Sequence, residues 1–300
     1  MFDLVAHALH HPHVARLTKR VGRRLRPVRP SRQAELWYLN RLTDSTDAMR
    51  VRAKKVLRAA LLPLAAPSGA RDADPWRAAL DALGRDKVFN SLKGQAEFLA
   101  RLASQKALFW TDDRLAKEVS RSLGVDVRAA LQTQGKVAER LREFNEWNVD
   151  LISSLPDRFK DDLQEKLEAA WASGLRAKAV ESIIDDAVDE AGENCEANAA
   201  LIARDQMNKM NAAFNQARQT ELGIPKYQWR TSDDERVRPE HLAMETGGEN
   251  EDGVYRWDEP GPLAGTIDGR PCHPGEDIQC RCDAIPIFDL DALEAEADAV

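Results

Sequence analysis

The stretch CEANAALIARDQMNKMNAAFNQARQTELGIPKYQWRT (195–231) changes character at Gly223, and that change divides the chain. Before it, alanine, leucine and methionine recur at helical spacing without a proline, which predicts a long helix over about 195–222. Gly223 and Pro225 stop it: glycine accepts the left-handed turn that ends helices, and proline cannot continue one. From Tyr227 to Thr231 aromatic and polar residues alternate, the pattern of a short half-buried strand.

Toward the N-terminus the helical texture persists back to Trp76. Thr111-Asp112-Asp113 is expected to cap a helix beginning near Arg114 and ending at Gly124. Ser154-Leu155-Pro156-Asp157 is expected to open another, with Gly174 after its last apolar turn, and a third is expected over 178–191. Further back lie a short helix over 2–20, a basic extended linker running to Pro30, and a helix over about 32–62. Pro67-Ser68-Gly69 marks a break within 63–75. Toward the C-terminus, Ser232 to Glu235 form a turn, Pro239 starts a short helix through Met244, and 254–257 form a second strand. A Gly/Pro loop then runs as far as Gly275, and 290–300 are acidic.

The expected fold class is mainly α: an elongated multi-helix body with a small α+β, loop-rich, zinc-stabilised C-terminal module. The expected organisation is a basic N-terminal arm and helices (1–62), a linker (63–75), a helical body (76–194), a C-terminal module (195–288) and an acidic tail (289–300).

Charge is distributed unevenly. Residues 1–60 carry 14 Lys/Arg against 4 Asp/Glu, so a net −7 chain is +10 at its start and −17 over its other 240 residues. Such a split suits a basic arm that meets nucleic acid or an acidic partner; a solvated arginine-rich helix is the other reading. No stretch reaches the ~20 apolar residues of a membrane span, and the apolar start precedes the basic cluster, the reverse of a signal peptide. A cytoplasmic product is expected.

Three of the four cysteines fall in Cys272-His273-Pro274-Gly275-Glu276-Asp277-Ile278-Gln279-Cys280-Arg281-Cys282. Cysteines two apart in an extended chain face the same side, so Cys280 and Cys282 can share one tetrahedral metal. His241, Cys272 and His273 compete for the remaining places. A structural metal suits a loop-rich segment with little core of its own. Reduced core cysteines with hydrogen-bonded histidines, or a disulfide, are the alternatives. Cys195, alone on a helix, reads as a small buried apolar residue. Asp233, Glu235, Glu240 and His241 offer acid–base groups, but alternating acids and arginines across a turn more often lock it. The sequence contains no nucleophile elbow, phosphate loop or dinucleotide fingerprint, so no catalytic residue is assigned.

The blocks Leu201-Ile202-Ala203-Arg204-Asp205-Gln206, Gly223 through His241, His273-Pro274-Gly275-Glu276-Asp277, Cys280-Arg281-Cys282 and Ala284-Ile285-Pro286 resemble, in order and spacing, the phage Mu F-like head morphogenesis family. The resemblance covers about 195–288. Many relatives carry Cys-x-x-Cys where this chain has Arg238-Pro239-Glu240-His241. His241 can replace the second cysteine as a ligand; Arg238 cannot replace the first. The segment 245–252 also stands where the family has a compact turn.

The resemblance implies a non-enzymatic minor capsid protein of the virion, in the head interior or at the portal vertex. It would assemble with the portal, act in procapsid assembly and in DNA packaging or delivery, and have no membrane role during assembly. The charge map adds a contact with double-stranded DNA or an acidic portal face through Arg16, Lys19, Arg20, Arg23, Arg24, Arg26, Arg29 and Arg32, joined by Lys54, Lys55 and Arg58. The alternative is a zinc-dependent hydrolase or transferase-like effector with Glu240 or Glu276 as base.

Overall fold

A computed structural model of the chain describes residue 4 and residues 24–65, 75–132, 135–172, 179–246, 253–259 and 270–288. Its elements are α1 (Arg32–Leu61), a 3-10 turn (Leu62–Ala65), α2 (Pro75–Gly84), α3 (Lys87–Leu123), α4 (Arg128–Leu131), α5 (Gly135–Ala172), α6 (Val180–Glu221), β1 (Lys226–Arg230), α7 (Pro239–Thr246), β2 (Val254–Arg256) and β3 (Asp283–Ile287). The structure is mainly helical with one small antiparallel sheet. No helix among the described residues is long and apolar enough to cross a membrane. The helix expected over 2–20 (Leu4 apart), residues 66–74 of the break, Gly174, most of the 245–252 segment and the acidic tail lie outside the described residues.

The chain forms two compact units, each drawn from separated stretches: 35–102 with 145–204, and 1–34 with 103–144 and 205–300. In the first, Tyr38, Leu42, Thr46, Met49, Ala53, Leu57 and Leu61 recur every three to four residues along α1 and are all buried. Phe89 and Phe159 of the same unit are also buried, and their rings meet edge-on at 5.6 Å. Cations of α1 pair with acids of α6: Arg50 with Glu196, Lys54 with Asp189 and Arg58 with Asp185, each at 2.7 Å.

Three helix boundaries differ from the sequence expectation. Thr111 does not cap a new helix; α3 runs through it, and its hydroxyl donates to Ala107 O at 3.0 Å while Asp112 turns to Arg218. Pro156 lies inside α5 rather than at a start, with the Ser154 hydroxyl donating to Leu151 O at 2.8 Å. The helices expected over 178–191 and 195–222 are one, α6. Gly192 does not break it, because the position serves packing: a Cβ there would come within 2.2 Å of Arg50 Nε.

In the second unit, Leu4, Leu25, Val28, Leu115, Val119, Leu123, Leu131, Leu222, Ile224 and Phe288 form an apolar cluster. Beside it the guanidinium of Arg218, 1% exposed, donates to Asp112, Glu221 and Leu131 O. Gly124 (φ 71°) ends α3 and Gly223 (φ 74°) ends α6, as expected. Ile224 N–H closes α6 onto Gln219 O at 2.9 Å. The sheet order is β2-β1-β3, with Tyr227 opposite Tyr255 on one side and Pro286 on the other. The turn, the short helix and the strands at 226–230 and 254–256 match expectation; β3 was not foreseen.

Residues 24–30 form a strap along the free side of β3. Arg24 bridges Ile287, and Leu25 N–H donates to Pro286 O at 3.1 Å. Asn211 and Asn215 of α6 both donate to Val28 O.

Candidate metal centre

β1 and β2 turn Tyr227, Trp229 and Tyr255 inward, where they pack with Met244, Trp257, Cys272, Cys280 and Cys282. After β1 the chain reverses at Asp233 (φ 58°), and the Asp234 carboxylate takes both terminal nitrogens of Arg281. That pair ties the turn to the Cys280-Arg281-Cys282 segment and holds Asp234 down at about 2. The dense charge read in this turn thus acts as a lock.

α7 delivers His241, 3% exposed, to the two cysteines. His241 Nδ1 stands 3.6 Å from Cys280 Sγ and 3.4 Å from Cys282 Sγ, and the three donor atoms lie within 4.8 Å of one another. Behind the imidazole, Nε2 faces Asp277 at 3.7 Å, and Asp277 is bound by Arg238. Arg238 also donates to Ile278 O at 2.6 Å. The arginine that departs from the family's cysteine pair therefore closes the loop and neutralises a buried carboxylate.

The segment carrying the cysteines is shaped by Gly275 (φ 88°) and Gln279 (φ 55°). Gly275 has no room for a side chain, since a Cβ would meet Ala212 Cβ at 2.5 Å. α6 holds the segment through Asp205, which accepts Gln279 N–H at 2.6 Å, and Asn208, which donates to Cys280 O. Sequence reasoning missed the roles of Asp205, Asn208, Asn211 and Asn215. The signal available was three asparagines on one stretch of helix, a residue type that favours caps and turns over helix interiors.

The sulfur chemistry fits a cation. Cys280 Sγ accepts backbone N–H groups of Gly275 at 3.3 Å and Cys282 at 3.4 Å. The hydrogen bond from Cys282, with those from His241 and the backbone, holds Cys280 well below the usual thiol range. Its neighbour Cys282 is pushed the other way, chiefly by Cys280 and then by burial. Two adjacent buried thiols cannot both ionise beside one imidazole, whereas a dication would make both thiolates. The buried indole N–H of Trp229, which meets no hydrogen-bond acceptor at ordinary distance among the described residues, lies where it would favour a thiolate at Cys282. The N···S separations also match the edge of a tetrahedron built on ordinary zinc bonds, about 3.5 Å.

The other two candidates stand outside this group. His273 Nδ1 shares a hydrogen bond with the Tyr227 hydroxyl at 2.7 Å, and its ring lies 5.0 Å from that of Trp257. Burial lowers its pKa and keeps it neutral. Cys272 is buried in the same apolar cluster but not among the three converging donors; burial, then Cys280, pushes its thiol up to about 12. Cys195 is buried against Thr46, as its isolated position suggested. A cavity of about 200 Å³ reaches the sulfur side of the site, walled by Val28, Asn208, Asn215, Gly275, Cys280 and Cys282.

Of the basic candidates, Arg16, Lys19, Arg20 and Arg23 lie outside the described residues, while Arg24, Arg26, Arg29 and Arg32 are exposed on or beside the strap. Lys54 and Arg58 are engaged by acids of α6, and Lys55 is exposed. Glu240 is exposed on α7, and Glu276 accepts His273 N–H at 2.7 Å.

Fold and site together define a helical protein that carries a small Cys/His-knuckled sheet at its C-terminal end. Residues 161–285 match the family model of Phage Mu protein F like protein. The match begins within α5, upstream of the 195 boundary drawn from the motifs. An uncharacterized protein of Haemophilus influenzae (strain ATCC 51907 / DSM 11121 / KW20 / Rd) is 29% identical over 285 residues, 93% of this chain. The chain spans 58% of the length of that curated relative. No solved structure matches the chain.

Proposed function

We propose that this chain is a non-enzymatic minor head protein of a tailed phage, acting at the portal vertex in procapsid assembly and in DNA packaging or delivery. The observation that carries this is the family match over 161–285, which contains the His241/Cys280/Cys282 centre and all three strands but the last residues of β3. A phage head family points to the virion, and the exposed arginines of the strap supply a surface for packaged double-stranded DNA. The partners in this account are the portal protein and the capsid interior. The centre's role is structural: one zinc ion would be held by His241, Cys280 and Cys282, with the carboxylate of Asp277 orienting the imidazole from behind. Bound there, the ion would supply folding free energy to a module with a small core.

Purified procapsids and mature heads, analysed by mass spectrometry together with capture on the portal protein, test the assignment. A few copies per particle and retention by the portal are expected. Absence from both particle types would contradict it.

One observation favours a second account, a zinc-dependent hydrolase or transferase: the cavity at the sulfur side leaves room for a water on the metal. Of the two bases read from the sequence, Glu276 accepts the His273 N–H and Glu240 faces solvent. Metal-dependent turnover of acyl, phosphoryl or glycosyl substrates that disappears in Glu276→Gln would favour that account.

A further inference from the structure

The strap does not lie alone. It runs antiparallel beside α3: Trp110 Nε1 donates to Arg29 O at 2.9 Å, and the backbone N–H of Arg26 donates to Glu118 Oε1 at 3.1 Å. Leu25 and Val28 are sunk into the cluster containing Leu115, Ala116 and Val119, which leaves Arg24, Arg26 and Arg29 pointing outward. On α3, Trp110, Arg114, Lys117 and Arg121 fall within an arc of about 60° at 3.6 residues per turn, and Trp110 of that arc meets the strap. The Arg114 guanidinium lies over the Trp110 ring, 4.1 Å from its centroid, so one tryptophan fixes both an arginine of the helix and the backbone of the strap.

The carboxylates bonded to these cations are each taken singly. Asp113 pairs with Lys117, Glu118 with Arg121 and Asp283 with Arg29. Arg24, Arg26 and Arg114 are exposed and have no ion pair among the described residues. The result is a two-sided ridge of guanidinium groups whose surplus is positive.

We infer that the strap and α3 together form one phosphate-tracking surface for duplex DNA, in which Arg114 acts with Arg24 and Arg26 and Trp110 sets their spacing. This rests on the DNA contact in the proposed function and extends it from the N-terminal arm to a helix that sequence reading assigned to the body. Charge complementarity argues for the occupant: a polyanion with regularly spaced charges meets two roughly parallel rows of cations, one held by backbone hydrogen bonds and one by a helix.

The test uses the full chain and a fluorescent duplex of mixed sequence, with affinity measured from about 50 to about 200 mM salt. Arg114→Gln is expected to flatten the slope of log K against log salt by about 1, and the Arg24→Gln/Arg26→Gln/Arg114→Gln variant by about 3. Because all three side chains are exposed, unchanged thermal melts establish that the variants are folded. If Arg24→Gln/Arg26→Gln flattens the slope while Arg114→Gln does not, the composite surface is wrong and the arm-only contact survives. Failure of the wild-type chain to bind the duplex overturns both. Binding to poly-glutamate-competed acidic protein but not to duplex gives the surface to a protein partner and likewise overturns the inference.

Discussion

The helical unit of 35–102 with 145–204 and the C-terminal module built on β1, β2 and β3 are held together in opposite ways. The first buries a repeating apolar face of α1 and leaves its ion pairs, such as Arg58–Asp185, on half-exposed flanks. Its stability is spread over many similar contacts. The second has a short sheet and an aromatic cluster, and it depends on a few buried polar atoms: His241, Asp277, the sulfurs of Cys280 and Cys282, and the asparagines of α6. A region of the first kind loses stability gradually under substitution; one of the second kind fails at particular atoms.

The largest expected effect is therefore in the module. Cys280→Ser should abolish metal binding and unfold the sheet region, a loss of several kcal/mol given that structural zinc sites contribute on the order of 10 kcal/mol gross. Near-ultraviolet circular dichroism of Trp229, Trp257 and the tyrosines reports it, and an unchanged spectrum would remove the metal from the account. Next, Leu57→Ala in the fully buried face of α1 should cost about 2–5 kcal/mol. It should leave metal content unchanged in a zinc titration; a parallel loss of metal would mean that the contrast between the two regions is false.

Arg238→Gln should cost about 2 kcal/mol, less than a fully buried pair because the arginine side chain is 32% exposed while Asp277 is 3% exposed. Its melt should recover when Asp277 is changed to Asn in the same chain, since the stranded carboxylate is then gone; a double variant no better than the single one would mean the pair is not the lock.

Acid gives a smaller, signed effect. Arg281 holds the Asp234 carboxyl at about 2, so its contribution is complete above the ordinary aspartate range near 4 and is lost as pH falls toward about 2. Arg281→Gln should therefore shift the acid-unfolding midpoint of the module upward, and a midpoint unmoved by the substitution would remove the Asp234 lock. Smallest of all, Arg58→Gln should change the melt by less than about 1 kcal/mol, because exposed ion pairs contribute little. A larger shift would show that the helical unit relies on charge after all.

Helices 32–61 and the ends at Gly124 and Gly223 were legible because apolar spacing and left-handed glycines are local signals. The caps at Thr111 and Ser154 misled for a shared reason: a hydroxyl that could cap a new helix also satisfies itself on the preceding turn of a continuing one. β3 was hidden because Pro286 removes a donor and its partner strand lies more than fifty residues earlier. In the site, His241, Cys280 and Cys282 were visible as residue types, but the choice among five donors depended on long-range packing. Tyr227 of β1 claims His273 of the loop before β3, and nothing in the spacing announces that. The strap was seen as charge and not as structure, since its fixing points are the side chains of Trp110, Asn211 and Asn215.

Amide hydrogen exchange of the full chain, before and after a strong zinc chelator, tests the central claim that the module is metal-held and the helical unit is not. Chelation should release the protected amides of 226–230 and 283–287 while those of 38–61 stay protected. Unchanged protection in the strands, or equal loss in both regions, would contradict it.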